Sequence, residues 1–591
     1  MFTDPFEYIN SCSKRTLSCL LLICIFIYMG IYNVTIGVEP LLNDDAPQTL
    51  INKTPNLIIQ ERFSLIQGRI KVTDCKSCFA PDSYINLKGD QVDGLHISDN
   101  QPIYYYSYNG QKIPLYKFRR MSAIPSNIYK LLTFVVNPSL AKNIYNQFIS
   151  ILVLIFLFLG VRKKIDTFTA FSTVFLCSIS PIFISSYTSY FSEQLFALLF
   201  WMIFYLIQSE KKVLRATVCG LFVFGLMVKL NFLVVSIPLF MIFKKDFYKN
   251  KGIVVATAIL SLIYIGLLLQ TNGASSEIIE RTGEGYGKPF SHWVLLLQEL
   301  IAMVGSPIVF LNDQLNLFDL TGSYYNKLNF STLKRVGSIA IFPLAFLLIN
   351  LKEKKGRVFI GAFFIWAVLA FLASHNDLTY TTRISEIYSI LCLLFSMALI
   401  LFLKNKTKLS YVVIAAFIVF QFYNLNHWMN IYRTVGPESS QKMSLYEDIA
   451  KYLVDNKIER PILMHDEREW GYLEFLSKEK ILPIYTYNLD TRIPLEDIFS
   501  IDNEGYLLLY YPKKEIFYRR YGTSIISKET NESVLKAAQK SHSKVSFIKT
   551  FKSSDEVIYK LIYFKNALEF EELSAEENTK LLEIPHPSFY R

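Results

Sequence analysis

Residues 143–164 read NIYNQFISILVLIFLFLGVRKK, and this stretch decides the class of fold. From Phe148 to Gly160 it carries no charge, and Asn143–Gln147 extend it backwards to the roughly 20 residues that cross a hydrocarbon core as a helix. It ends on Arg162, Lys163 and Lys164. Basic residues beside a membrane segment stay on the cytoplasmic side, so the stretch has a direction as well as a length.

Working outward, the same pattern recurs. Leu17–Gly37 follows Lys14 and Arg15. It is long for a signal-peptide core and lacks an A-x-A type cleavage site, so it reads as an uncleaved first span. After the quoted stretch come Phe168–Ser185 and Phe191–Ile207, then Val213–Phe243, which is too long for one crossing and breaks at Lys229-Leu230-Asn231. Ile253–Gln270, Val336–Leu351, Val358–Ala373, Ile384–Leu403 and Tyr411–Asn424 follow. Counting Val213–Phe243 as two short helices gives about eleven spans. With 52% apolar and 19% charged residues, a soluble chain could not bury so many such stretches.

The basic clusters test the map. Lys14/Arg15, Arg162/Lys163/Lys164, Lys211/Lys212/Arg215, Lys244/Lys245/Lys249/Lys251, Lys352/Lys354/Lys355/Arg357 and Lys404/Lys406/Lys408 all fall on one side, which puts the N-terminus in the cytoplasm. Ser291–Leu311 is apolar enough to span, but contains His292, Gln298 and Glu299, and a crossing there would put the next cluster on the wrong side. We read it as an interfacial or re-entrant helix. The expected product is a polytopic α-helical protein of the cell inner or plasma membrane. Its transmembrane domain, residues 1–428, has external loops at 38–142 and 271–335. An extracytoplasmic α/β domain, residues 429–591, follows, with an amphipathic helix at Tyr446–Val454, strands at Pro461–Met464 and Tyr506–Tyr511, and a helix at Glu532–Ser541.

Several functions are excluded. The net charge of +11 lies in short links between apolar segments, not on a contiguous basic face, so no nucleic-acid partner is expected. The cytoplasmic links are too short for an ATP-hydrolysing domain. Of the eight cysteines only Cys75 and Cys78 fall in a polar loop, and one such pair favours a local disulfide or free thiols over zinc. No metal ligand set is expected.

Three constellations can carry chemistry. Asp44 and Asp45, in Glu39-Pro40-Leu41-Leu42-Asn43-Asp44-Asp45-Ala46, lie just outside the first span. Adjacent carboxylates raise each other's pKa and suit a general base. They can equally hold a divalent cation, or form a solvated acidic cap on a loop. In Tyr104–Tyr116, the aromatic faces of Tyr106 and Tyr108 suit a sugar ring and Lys112 a phosphate, with interfacial anchoring as the plainer role. The third set is polar residues at span ends: Glu193, Lys229, His375 and Arg383. Ionisable groups at membrane depth are expensive and therefore functional candidates. Lys229 can instead snorkel. A bidentate Arg383 at the lipid boundary suits a phosphate headgroup.

In order and topology these pieces resemble the GT-C class of polytopic glycosyltransferases, over roughly residues 15–430. Asp44-Asp45 sits where that class places its catalytic carboxylate. Lys112-Ile113-Pro114-Leu115 is similar to the Lys-Pro-Pro-Leu segment of the aminoarabinose-transferase branch, with Ile113 in place of one Pro. Ser185–Leu195 is similar to a Tyr-Ser…Glu-Pro-Leu pattern, with Gln194 in place of Pro. Gly220–Lys229 looks like the class's Gly-rich broken hairpin, and Arg383 matches the cation that begins a late span.

The resemblance implies transfer of a sugar from a polyprenyl-phosphate-linked donor to a glycan, lipid or protein acceptor on the non-cytoplasmic face, amid membrane lipids. Asp44 or Asp45 would be the base, Arg383, Lys112 and Lys229 would hold the donor phosphate, and Tyr106, Tyr108, Glu193 and His375 would contact substrate. No organic cofactor is implied. A transporter or flippase for lipid-linked glycans, or a non-catalytic assembly or sensor protein, are the rival readings. The first calls for paired charges deep within spans. The second calls for a C-terminal domain that works alone.

Overall fold

The computed structural model of the protein describes residues 14–35, 138–180, 194–228, 232–269, 347–373, 385–403 and 445–458, the strands named below, and isolated positions between them. Helix α1, Lys14–Thr35, is the expected first span, and α2, Pro138–Lys164, contains the stretch quoted above. Within them, Thr16–Asn33 and Asn143–Lys164 are long and apolar enough to cross a membrane. Shorter apolar helices pack with them: α3 (Thr167–Ser178), α4 (Gln194–Leu206), α5 (Lys212–Val228) and α6 (Phe232–Ile242). A short α7 (Lys244–Lys249) leads into α8 (Lys251–Leu269). After a 3-10 turn at Ile349–Lys352 come α9 (Lys354–Ala373) and α10 (Ser385–Leu403). Ser291–Leu311 and most of Val336–Leu351 and Tyr411–Asn424 lie outside the described residues.

The break expected within Val213–Phe243 separates α5 from α6, and glycine explains how closely the two then pack. A Cβ on Gly225 would strike the ring of Phe232, a fully buried residue that opens α6. Gly160 plays the same part for α2, since its Cβ would come 2.8 Å from Phe204 of α4. The stretch Phe168–Ser185 departs from expectation. Asp166 starts α3 by accepting hydrogen bonds from the Thr169 backbone N–H at 2.8 Å and the Thr169 hydroxyl at 2.7 Å. Ile179 caps the helix and Pro181 follows. Proline disfavours helical backbone at the residue before it, so the helix stops short.

Apolar side chains are buried between these helices and also exposed on them. Phe26 on α1 is 67% exposed and Leu262 on α8 is 68% exposed, with Ile259, Leu260 and Ile263 beside it. Such a band is costly against water and is satisfied by lipid.

The first long loop carries strands β1 (Ile59–Ser64), β2 (Ile70–Lys71), β3 (Ile85–Asn86), β4 (Ile97–Tyr108) and β5 (Gln111–Ser122). The β4–β5 pair is antiparallel, with Tyr108 opposite Gln111 and two residues between the strands.

The C-terminal segment adds β6 (Pro461–Leu463), β7 (Ile484–Tyr485), β8 (Glu504–Tyr511), β9 (Lys544–Ser553), β10 (Val557–Lys565) and β11 (Phe570–Glu572). One sheet runs β7-β6-β8-β10-β9, with β6 parallel to both neighbours and β10 antiparallel to both of its own. The helix at 445–455 lies on it: the Tyr559 hydroxyl donates to that of Tyr446 at 2.8 Å, and Lys549 sits 4.0 Å over the Tyr452 ring. The strands read at 461–464 and 506–511 are β6 and β8. The β9–β10 hairpin was not foreseen, and of Glu532–Ser541 only residues 535–536 are described, as helix. The last strand, β11, leaves this segment and completes the loop sheet, in the order β1-β5-β4-β11.

Candidate active site

The helix bundle has two chemically different ends. At one, the basic clusters meet. Lys164, closing α2, is 3.8 Å from Asp246 of α7 and 4.2 Å over the Phe243 ring. Lys163 lies 5.8 Å over Tyr205, which is in α4, and Lys355 of α9 donates to the Lys164 carbonyl at 3.4 Å.

At the opposite end, uncharged polar groups converge. The Tyr32 hydroxyl, near the end of α1, donates to the Tyr187 carbonyl at 3.1 Å, pinning that helix to the link before α4. Gln147, early in α2, donates to the Asn33 side chain at 2.8 Å. Ser180, just past α3, donates to the Tyr388 hydroxyl at 2.7 Å, and Tyr388 lies in the first turn of α10. At the next residue of α10, the Trp201 indole donates to the Ser389 hydroxyl at 2.8 Å. Tyr28, Phe183 and Tyr187 form an aromatic stack, with centroids 5.9 and 5.1 Å apart. Tyr145, Asn146 and Gln194 are buried in the same helix ends.

The helix pattern builds this cluster. Tyr28 and Tyr32 are four apart on α1, as are Asn146 and Ser150 on α2, so each pair occupies one helix face. That spacing was the available signal for residues that the sequence reading did not nominate. Phenol, hydroxyl and amide groups both donate and accept without carrying charge, which suits a hydroxyl-rich ligand. No Asp, Glu, Lys, Arg or His is fully buried among the described residues. None of them form a group of three or more His, Cys, Asp or Glu placed to hold a metal ion. The described part of this end thus holds uncharged groups.

The flanking links carry the residues picked out from sequence. Asp44, Asp45, Glu193, Lys229, His375 and Arg383 lie outside the described residues. Their neighbours in the chain do not. Glu193 directly precedes the buried Gln194, and Arg383 is two residues before α10, whose first turn holds Tyr388. Asp44 and Asp45 follow α1, which carries Tyr28 and Tyr32. Tyr106, Tyr108 and Lys112 belong to the β4–β5 hairpin. Its register pairs Tyr106 with Ile113 and Ser107 with Lys112. Alternation along a strand puts positions 106 and 108 on one face and 112 on the other. The hairpin unites the three in one element but does not present them on one surface.

No protein-family model and no curated protein matches the chain. Among solved structures it is similar to ArnT from Cupriavidus metallidurans bound to undecaprenyl phosphate, at 9% identity and a TM-score of 0.44, over 91% of this chain and 97% of that one. It is also similar to the archaeal oligosaccharyltransferase AglB from Archaeoglobus fulgidus, in complex with an inhibitory peptide and a dolichol-phosphate. There the identity is 12% and the TM-score 0.42, over 90% of this chain and 69% of that one. Both are GT-C glycosyltransferases, the class that the sequence resembles.

Proposed function

We propose that the protein is a membrane glycosyltransferase that moves a sugar from a polyprenyl-phosphate carrier to an acceptor at the polar end of the bundle. The observation that carries this reading is the convergence of α1, α2, α3, α4 and α10 on one uncharged, tyrosine-rich cluster, opposite the lysine end. The chain segments entering and leaving that cluster are the ones that contain Asp44, Asp45, Glu193 and Arg383. The positive-inside rule puts the lysine end in the cytoplasm and the cluster on the outer face.

In the proposed reaction, Asp44 or Asp45 takes the proton from an acceptor hydroxyl. The acceptor oxygen bonds to the anomeric carbon as the bond from that carbon to the phosphate oxygen breaks. The electron pair leaves on the polyprenyl phosphate, and configuration at the anomeric carbon inverts. Arg383, with Lys112 or Lys229, offsets the charge gathering on the phosphate. Tyr106, Tyr108, Glu193 and His375 complete the substrate contacts. A phosphate already leaves as a stabilised anion, so no acid is needed opposite the base. A flippase reading calls for charges deep in the spans, and the described residues bury none.

The test is reconstitution with a panel of polyprenyl-phosphate sugars, following the loss of each donor. One donor is expected to be consumed. Asp44→Asn or Asp45→Asn should slow that consumption by about 10²-fold or more, the scale of a lost general base. Arg383→Gln should slow it about 10²- to 10³-fold. Full transfer by both Asn variants, each present in normal amount, would overturn the mechanism. Chelation of divalent cations distinguishes a base from a cation-holding pair, because only the second loses activity.

A further inference from the structure

The lysine end of the bundle is built more closely than a topology signal requires. Segments 162–166, 244–251 and 352–357 hold eleven Lys and Arg against three carboxylates. Of those carboxylates, Asp166 is engaged in capping α3 and Asp246 lies beside Lys164. Lys163, Lys244, Lys352, Lys354, Lys355 and Arg357 are exposed. The amines of Lys164 and Lys355 are drawn to one place: Lys355 reaches across from α9 to the carbonyl that ends α2, while Lys164 rests on Phe243. Lys163 lies over Tyr205 on the adjoining helix. Asp246 offsets part of this charge at Lys164, and the like charges left over repel unless a further anion joins them.

We infer that the meeting point of α2, α4, α7 and α9 is a binding site for the phosphodiester headgroup of an anionic phospholipid. The half-buried ring of Tyr205 provides the interfacial border on which lysine stems and acyl chains pack, while the buried Phe243 ring seats the Lys164 amine. The lipid source is favoured over free phosphate because exposed apolar side chains, Leu348, Leu351 and Val358, flank the same lysines and offer the acyl chains a surface. The site is separate from the transfer chemistry proposed above, and rests only on the reading that the bundle lies in a bilayer.

The test uses the full chain in nanodiscs of phosphatidylcholine with a minor fraction of phosphatidylglycerol, with retained lipid counted by native mass spectrometry after detergent extraction. The wild type should retain phosphatidylglycerol in preference to phosphatidylcholine. Lys163→Gln/Lys355→Gln should weaken that preference by about fivefold for each lysine removed, the scale for a basic residue at an anionic surface. Lys211→Gln/Lys212→Gln removes the same charge from a basic link elsewhere and should leave retention unchanged. Equal loss in both variants would reduce the site to diffuse surface potential and overturn it. Competition by millimolar inorganic phosphate in detergent would overturn the lipid assignment. A chain washed from membranes by carbonate would end the bilayer reading and the site together, whereas an embedded chain with no lipid preference removes the site alone.

Discussion

Single residues set how tightly the polar cluster is held. The Tyr32 hydroxyl is the visible tie between the helix leading to Asp44 and the link leading to Glu193. Tyr32→Phe should cost about 1 kcal/mol of stability, the net worth of one hydrogen bond. Thermal unfolding in detergent measures that. If the tie also positions the base, the variant should lower kcat more than this loss explains while leaving KM for the donor nearly unchanged. Gly225 is a sharper case. Alanine usually favours a helix over glycine by about 1 kcal/mol, but here its Cβ would strike Phe232. Gly225→Ala should therefore destabilise by about 1–3 kcal/mol, as overpacking does, and Phe232→Leu in the same chain should restore part of it. The sequence nominated Asp44, Asp45 and Arg383 because charge beside an apolar run is conspicuous. It did not nominate the buried tyrosines, because a tyrosine inside an aromatic-rich span looks like any other ring until the helices around it are assembled.

Elements were legible where the pattern was long. Apolar runs gave α1, α2, α8 and α10 almost to their ends, and the polar interruption at Lys229 correctly parted α5 from α6. The end of α3 was missed although Pro181 marked it, since an apolar run continues past the proline. Tyr104–Tyr116 was read for its side chains, and the strand pairing within it was not foreseen. The register sets positions 106 and 108 on one face of the pair and position 112 on the other. In a double-mutant cycle on KM for the acceptor, Tyr106→Ala and Tyr108→Ala should be non-additive. Each should be additive with Lys112→Ala, because residues that share no partner act independently. Strong coupling of Lys112 to either tyrosine would contradict the register.

At the scale of the molecule, the first loop and the C-terminal segment are joined by a strand. Glu571 of β11 stands opposite Tyr105 of β4, which brings the two segments into one sheet. In a chain whose native cysteines are replaced, Tyr105→Cys/Glu571→Cys should cross-link under mild oxidation, read as a shift on a non-reducing gel, whereas Tyr105→Cys/Glu504→Cys should not. Composition suggested a division into a membrane part and a following domain. It gave no sign of the strand that crosses that division, since three residues of β11 carry no periodicity of their own. The length of α3 has a last consequence. Its 12 residues, capped at both ends, rise only about 18 Å against a hydrocarbon core of about 30 Å. Ser180 and Tyr388, at its far end, are buried, so their contact lies inside the bundle and not on its rim. In the proposed topology the base, the acceptor and the departing phosphate would all lie on the outer side of the layer across which the transmembrane voltage drops. The proposed transfer is thus electrically silent: turnover should be the same in energised and de-energised vesicles, although charge separates at every cycle.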